Sequence, residues 1–423
     1  MSTISRRMLL KTSAALAVGS AVSQALAAGA NERIRVGIIG TRNRGWQNAE
    51  SFQRSGRFEI ATLCDCDSTS LDAAMGRIEK ILPNKPALER DFRRILDDKR
   101  IDSVVVATPD HWHALMTVMA LEAGKHVFVE KPASFNIDDG KAMVAAQKRH
   151  PKLVVAMGTQ QRSGRHFKDA KAFIDSGGLG KIALARAWMA GNRVVVNKVP
   201  DSDPPKELDY DMWVGPAPVK PYNKEKVHYN WHFMRDYGTN DAGNWGGHYL
   251  DIVRWFADLD LPTTVSGFGG KYVVQDEKEW FDTQTAIFHY PNLTVIWEMS
   301  HWNAIGPFGM GTGAEIRGEK GTVLIDREGW TFRPETGEPV KHPPSDLEGP
   351  HVKNFADCIT AGARPAADIV EGHKTAVLCH LANIATLLNR TVRFDPKTET
   401  IQGDAEAAAL QGREYRKKWT MPV

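Results

Sequence analysis

Beyond its first thirty residues the chain opens with short, almost wholly apolar runs separated by stretches of helical spacing. They are Val36-Gly37-Ile38-Ile39, Phe58 to Asp65, Ser103 to Pro109 and His126 to Val129. Runs apolar on both sides read as strands covered on both faces, and strands alternating with helices pair in parallel through crossovers. A further run, Leu153 to Met157, closes this unit near Gly158. Each strand ends in a glycine or polar group: Gly40 to Gly45, Asp65, Thr108-Pro109 and Glu130-Lys131-Pro132. Ligands of such sheets bind beyond the carboxyl ends of the strands.

After a helix from His166 to Asp175 the pattern changes. Residues 182–188, 263–268, 283–289, 294–299, 314–317 and 321–325 read as strands, several alternating apolar and polar, with Pro291-Asn292 as a turn. Alternation of this kind predicts an antiparallel sheet open on one face. The expected fold is therefore α/β followed by α+β. A doubly wound parallel sheet covers residues 31–158 and a mainly antiparallel sheet 159–345. An insert rich in Pro, Lys and aromatics spans about 195–237, and C-terminal helices over 346–423 brace the two units.

The glycine turn carries the first chemical signal. Gly40 and Gly45 fit the first and third positions of a Rossmann dinucleotide fingerprint, but Arg42 stands in the middle. Asp65 ends the next strand, where a carboxylate bonds ribose hydroxyls and repels a 2′-phosphate. NAD is thus favoured, with NADP still possible, since Arg42 is placed to meet either the pyrophosphate or a 2′-phosphate.

Ala107 to His113, Ala123 to Pro132, Gly177 to Ile182 and Trp245 to Asp251 then extend the pattern. Together with Val36 to Gly40 they resemble the glucose–fructose oxidoreductase, inositol dehydrogenase and rhizopine-catabolism family (Gfo/Idh/MocA). The Thr108 to His113 form is similar to a secreted bacterial subgroup. The resemblance implies a bound nicotinamide cofactor and a sugar or polyol substrate. It also implies a pocket shaped by Pro109, an oligomer contact through the open sheet face, and an Asp at the position of Asn244, where this chain departs.

Hydride transfer from an alcohol needs a proton acceptor and a donor for the developing oxyanion. Lys131 is the candidate, with Glu130 orienting it. Asn244 and His248 lie four apart on an expected continuous helix, which puts them on one face. Asn cannot accept a proton, so acid–base work falls to Lys131 or His248. His111 and His113 line the nicotinamide pocket or simply pack, and no metal is expected. Arg162 either meets substrate or pairs within the fold. In the insert, Trp213, Trp231, His232 and Tyr237 offer an aromatic sugar platform, or an ordinary packed loop. The activities in view are sugar oxidation with retained cofactor and redox-neutral glycoside cleavage. A binding protein that has lost the chemistry is the alternative of another class.

Ser5-Arg6-Arg7-Met8-Leu9-Leu10-Lys11 precedes a short apolar run ending at Ala25-Leu26-Ala27. This reads as a twin-arginine leader over residues 1–30, exporting the protein to the periplasm or beyond by the twin-arginine machinery. The run is too short for a stable membrane anchor. The formal charge of +3 comes with no basic stripe, so no nucleic-acid partner is expected. Four cysteines are too few for a disulfide scaffold and read as buried thiols.

Overall fold

The computed structural model describes residues 33–422; the expected leader lies outside them. Strands β1 (Ile34–Ile39), β2 (Phe58–Cys64), β3 (Ala87–Glu89), β4 (Ser103–Val106), β5 (His126–Val129) and β6 (Val155–Met157) form one parallel sheet in the order β3-β2-β1-β4-β5-β6. The order reverses between β1 and β4, which opens a crevice at their carboxyl ends. Helices α1 (Arg44–Arg54), α2 (Ser68–Ile78), α3 (Phe92–Asp97), α4 (His113–Glu122) and α5 (Ile137–Arg149) cover its faces. Every side chain of β4 is buried, as its unbroken apolar run predicts.

Helix α6 (Arg165–Asp175) leads to a second sheet, in which ten strands run in the order β14-β13-β12-β11-β7-β10-β9-β8-β15-β16. They are β7 (Ile182–Ala190), β8 (Thr264–Gly270), β9 (Thr283–Tyr290), β10 (Leu293–Ser300), β11 (Thr312–Gly318), β12 (Gly321–Asp326), β13 (Gly329–Pro334), β14 (Val340–His342), β15 (Thr391–Asp395) and β16 (Thr400–Gln402). Only β7 and β10 pair in parallel. Alternate residues of β10 are buried, with Val295, Trp297 and Met299 facing the core.

Four features depart from the pattern-based reading. Strand β3 replaces part of an expected helical stretch; its three largely exposed residues carry no periodicity to read. Strands β13 and β14 extend the sheet beyond β12. Strands β15 and β16 lie in the region expected to be helical, and extend the sheet past β8. Past a short helix in the insert, α7 (Tyr210–Val214), the helix expected from Asp241 to Phe256 is two: α8 (Asn240–Asn244) and α9 (Gly246–Phe256), broken at Trp245.

Two C-terminal helices join the halves. Helix α10 (Glu348–Ala361) sends Phe355 into the first unit's core, stacked on Phe58 with ring centroids 5.9 Å apart. Helix α11 (Ile369–Leu388) is buried along most of its length, packing on both α5 and β8. Among the described residues no helix is long and apolar enough to cross a membrane.

Candidate active site

The crevice between β1 and β4 is where the chemistry gathers. Gly40 follows β1 with φ of 83°, a value that favours glycine, and a Cβ there would lie 2.6 Å from the Ala107 carbonyl oxygen. A Cβ on Gly45 would lie 1.9 Å from the carbonyl oxygen of Gly40. The two glycines therefore let the strand-to-helix turn close tightly beneath the N-terminus of α1. That helix has no side-chain cap at Asn43; of its first N–H groups, that of Gly45 donates to the Arg42 carbonyl at 2.7 Å, and no side chain competes for the end that faces the crevice. Arg42 lines the crevice, with Nη1 3.4 Å from Ser70 Oγ.

Asp65 follows β2. Its carboxylate accepts from Thr41 N at 2.8 Å, from Thr41 Oγ1 at 3.1 Å and from Asp67 N at 3.1 Å. Burial pushes the carboxyl up from its ordinary value, against those hydrogen bonds. A glycine cradle, an uncapped helix N-terminus and a carboxylate at the end of β2 form the donor and acceptor set that a dinucleotide requires.

Glu130 and Lys131 follow β5. Glu130 Oε1 accepts from Arg44 Nε and Asn48 Nδ2, each at 2.9 Å. Burial would push this carboxyl up, but Arg44 and Lys131 outweigh it and hold it below the usual glutamate range. Glu130 therefore ties β5 to α1; it touches Lys131 only through a 3.4 Å contact with the backbone nitrogen. Lys131 Nζ instead donates to Asn244 Oδ1 at 2.5 Å. Burial pulls the Lys131 ammonium below the ordinary lysine value of 10.5, opposed by Glu130 and Asp110 and aided by Arg44 and Arg327.

The insert forms the facing wall. Trp231 and His232 stack with centroids 3.6 Å apart, and both line the cleft with Tyr229. His232 Nδ1 donates to the Tyr229 carbonyl at 2.7 Å, which leaves Nε2 as the lone-pair nitrogen. Burial pushes this histidine down to about 4, so the ring is neutral at neutral pH.

Thr108, Pro109 and His113 also line the cleft. The Thr108 hydroxyl is buried and has no partner among the described residues. His113 bridges the carbonyls of Pro132 at 2.7 Å and Thr108 at 2.9 Å. Its ring thus holds the ends of β4 and β5 together. His111 is buried against the carbonyls of Tyr237 and Trp213. Asp110, in the turn before α4, accepts from Thr239 N and Oγ1 at 3.1 and 2.6 Å.

Three expected site residues lie elsewhere. Arg162 is buried and pairs with Asp251 through Nε at 2.7 Å and Nη2 at 2.9 Å, so it serves the fold and does not line the cleft. Tyr237 packs its ring on Trp213 inside the insert's own apolar core, away from the cleft. His248 is buried and does not line the cleft; its Nε2 lies 3.2 Å from Arg327 Nη2 and its Nδ1 has no partner among the described residues. Burial and the neighbouring Arg327, Lys131 and Arg44 push its pKa well below 6.5. The break at Trp245 separates it from Asn244, which turns toward Lys131.

Sequence reasoning did not find Arg44, Asn48, Asp241 or His228. Each is held by at least one partner far away in the chain, which nothing local marks.

A nucleotide-binding parallel sheet joined to an open-faced, mainly antiparallel one, with a half-buried lysine at the crevice, defines a nicotinamide-dependent oxidoreductase. Residues 34–158 match the oxidoreductase family with the NAD-binding Rossmann fold, and residues 177–277 and 311–421 match that family's C-terminal alpha/beta domain. The chain belongs to the Gfo/Idh/MocA oxidoreductase family. It is 32% identical over 130 residues to the alpha-N-acetylgalactosaminidase of Shewanella oneidensis, a match spanning 30% of this chain and 28% of that protein's length. The aldose-aldose oxidoreductase of Caulobacter crescentus, solved with glycerol, shares the fold at TM-score 0.67 and 18% identity, over 86% of this chain and all (100%) of that one. The WlbA dehydrogenase of Bordetella pertussis, solved with NADH and UDP-GlcNAcA, does so at TM-score 0.65 and 18% identity, over 86% and 99% of the two chains.

Proposed function

We propose that this protein oxidises a secondary alcohol of a sugar, glycoside or polyol with a tightly held NAD, and that Lys131 is the proton acceptor. The carrying observation is the bond from Lys131 Nζ to Asn244 Oδ1, in a cleft whose other end carries the glycine turn and Asp65. Gly40, Gly45, the N-terminus of α1 and Asp65 would hold the dinucleotide, with Thr108, Pro109 and the Glu130–Lys131 segment at its nicotinamide end. Bound NAD supplies a hydride acceptor that can also return the hydride.

The protein's own groups do the rest. Lys131, its pKa lowered by burial, takes the hydroxyl proton in its neutral form, and once protonated it steadies an oxyanion. Asn244 accepts one of its N–H groups and so aims Nζ. Trp231 and His232 give a flat apolar wall against a sugar ring.

A second reading is redox-neutral glycoside cleavage. Oxidation at C3 acidifies the C2 proton, a base removes it as the aglycone leaves, water adds, and the carbonyl is reduced again. The free Nε2 of His232 supports this reading by offering a second base in the same cleft. The resemblance to a glycosidase over part of the chain supports it too.

The test is to denature purified protein and assay the released nucleotide, then to incubate the intact protein with sugars and aryl glycosides. Stoichiometric NAD with release of aglycone and no net NADH is the outcome expected for cleavage, and an oxidised sugar is that expected for oxidation. Protein that neither carries NAD nor binds it when added would refute both.

We also propose export by the twin-arginine route, on the strength of Ser5 to Lys11, and self-association through the outer face of the large sheet, where Thr285, Ile287 and Ile296 point away from the core.

A further inference from the structure

Asp241 has no role in the reaction above, yet it is fully buried and three segments converge on it. Arg193, at the head of the insert, donates to it through Nε at 2.8 Å and Nη2 at 2.6 Å. His301, just after β10, lies 2.9 Å from Oδ2. Asn244 donates Nδ2–H to Oδ1 at 2.9 Å.

An amide side chain has two nearly isosteric orientations that exchange its oxygen and its NH2. If the NH2 of Asn244 faced Lys131, two donors would oppose each other. An ionised carboxylate accepts only, so it bonds the NH2 and rejects the oxygen. Burial would raise the Asp241 carboxyl, but His301 and Arg193 hold it well below the usual range, so it stays ionised.

We propose that Asp241 is a positioning residue for Lys131: it fixes the amide of Asn244 so that the carbonyl oxygen always faces Nζ, and the amide keeps the carboxylate's charge one residue away from the amine. The proposal rests on Lys131 being the proton acceptor. Lys131 already faces Glu130 and Asp110 on the acidic side and Arg44 and Arg327 on the basic side, with neutral His232 and His248 nearby. A carboxylate at position 244 would lie against Nζ and hold its proton. An amide accepts the same hydrogen bond and lets the proton go.

The experiment pairs turnover with a readout that needs none. Competitive labelling by acetic anhydride across pH, followed by mass spectrometry, gives the midpoint at which Lys131 becomes a free amine. With N244D the midpoint should rise by about one pH unit or more, and the rising limb of kcat/KM should move to higher pH with it. With D241N, kcat should fall by about tenfold or more while KM stays within about threefold and the NAD content holds, as expected for a misaimed base. The exchanged double variant D241N/N244D keeps the same groups in the opposite order and should label like N244D; a purely structural role would treat it as a rescue. A folded D241N with native kcat and native midpoint overturns the proposal, as does N244D with an unmoved midpoint. If K131M still turns over, the functional reading is at fault, and the labelling midpoints still decide the geometry.

Discussion

His228 Nε2 lies 2.8 Å from a carboxylate oxygen of Asp67, joining the insert to the far end of the cofactor cleft. Backbone bonds fasten the insert beside it: Ser68 N to Glu207 O at 3.1 Å and Asp209 N to Cys66 O at 2.9 Å. Its later residues, Trp231 and His232, stand over the Lys131 end. The insert therefore crosses the cleft and is held on both sides. H228A should let NAD dissociate at least roughly tenfold faster, the effect of losing one hydrogen bond to a charged group. Fluorescence of released nucleotide after gel filtration checks this. Unchanged retention would show that the backbone bonds alone hold the insert down.

Activity should rise with pH. Burial lowers the Lys131 pKa from 10.5, so the neutral, proton-accepting amine gains population at a lower pH than for a free lysine. The limb of kcat/KM should lie below pH 10.5, and K131M should lose about 10²–10⁴-fold in kcat with NAD still bound. A pH–rate profile on the best sugar substrate tests both.

R162M separates a fold residue from a substrate residue. It leaves the fully buried Asp251 without its bidentate partner. Breaking such a pair costs about 3–5 kcal/mol. Urea unfolding should show that loss, while KM of the folded fraction stays near native. A large change in KM with native stability would return Arg162 to the substrate site.

Acid should weaken the fold through two buried histidines. Burial pushes His111 and His380 down to about 3, from 6.5 in the open chain. Between those values the unfolded state binds more protons, so stability falls as pH drops from 6.5 toward 3. The pair should contribute a slope of about two protons, or about 2.7 kcal/mol per pH unit, and H380Q should remove half of it. Unfolding free energies measured in urea at several pH values give the slope.

The parallel unit could be read in the sequence because its strands are continuous apolar runs, and the ends of those runs name the crevice. Gly40, Asp65 and Lys131 carry local signals of that kind. β3, β15 and β16 do not: they are short strands at or next to a sheet edge, recruited by the neighbours they pair with. The break at Trp245 was hidden because Asp241 to Phe256 has helical spacing throughout. Arg162 and His248 sit where chemistry is expected, but their partners, Asp251 and Arg327, come from remote segments. An ionisable residue's role depends on the company it keeps, which spacing along the chain does not encode.

The single parallel pair in the large sheet, β7 beside β10, also governs how the enzyme is born. β7 sits mid-sheet, yet both of its neighbours, β10 and β11, are made long after it. The insert, Asp241 and Asn244 all lie on the chain between β7 and β10, so they remain unanchored until the downstream strands arrive. Such distant pairing is slow. Gly40, Gly45 and Asp65 belong to the earlier parallel unit, which is complete on the chain before β7 is made. Competence to hold NAD should therefore precede competence to turn over a substrate, which waits until Asn244 and the insert are fixed against Lys131.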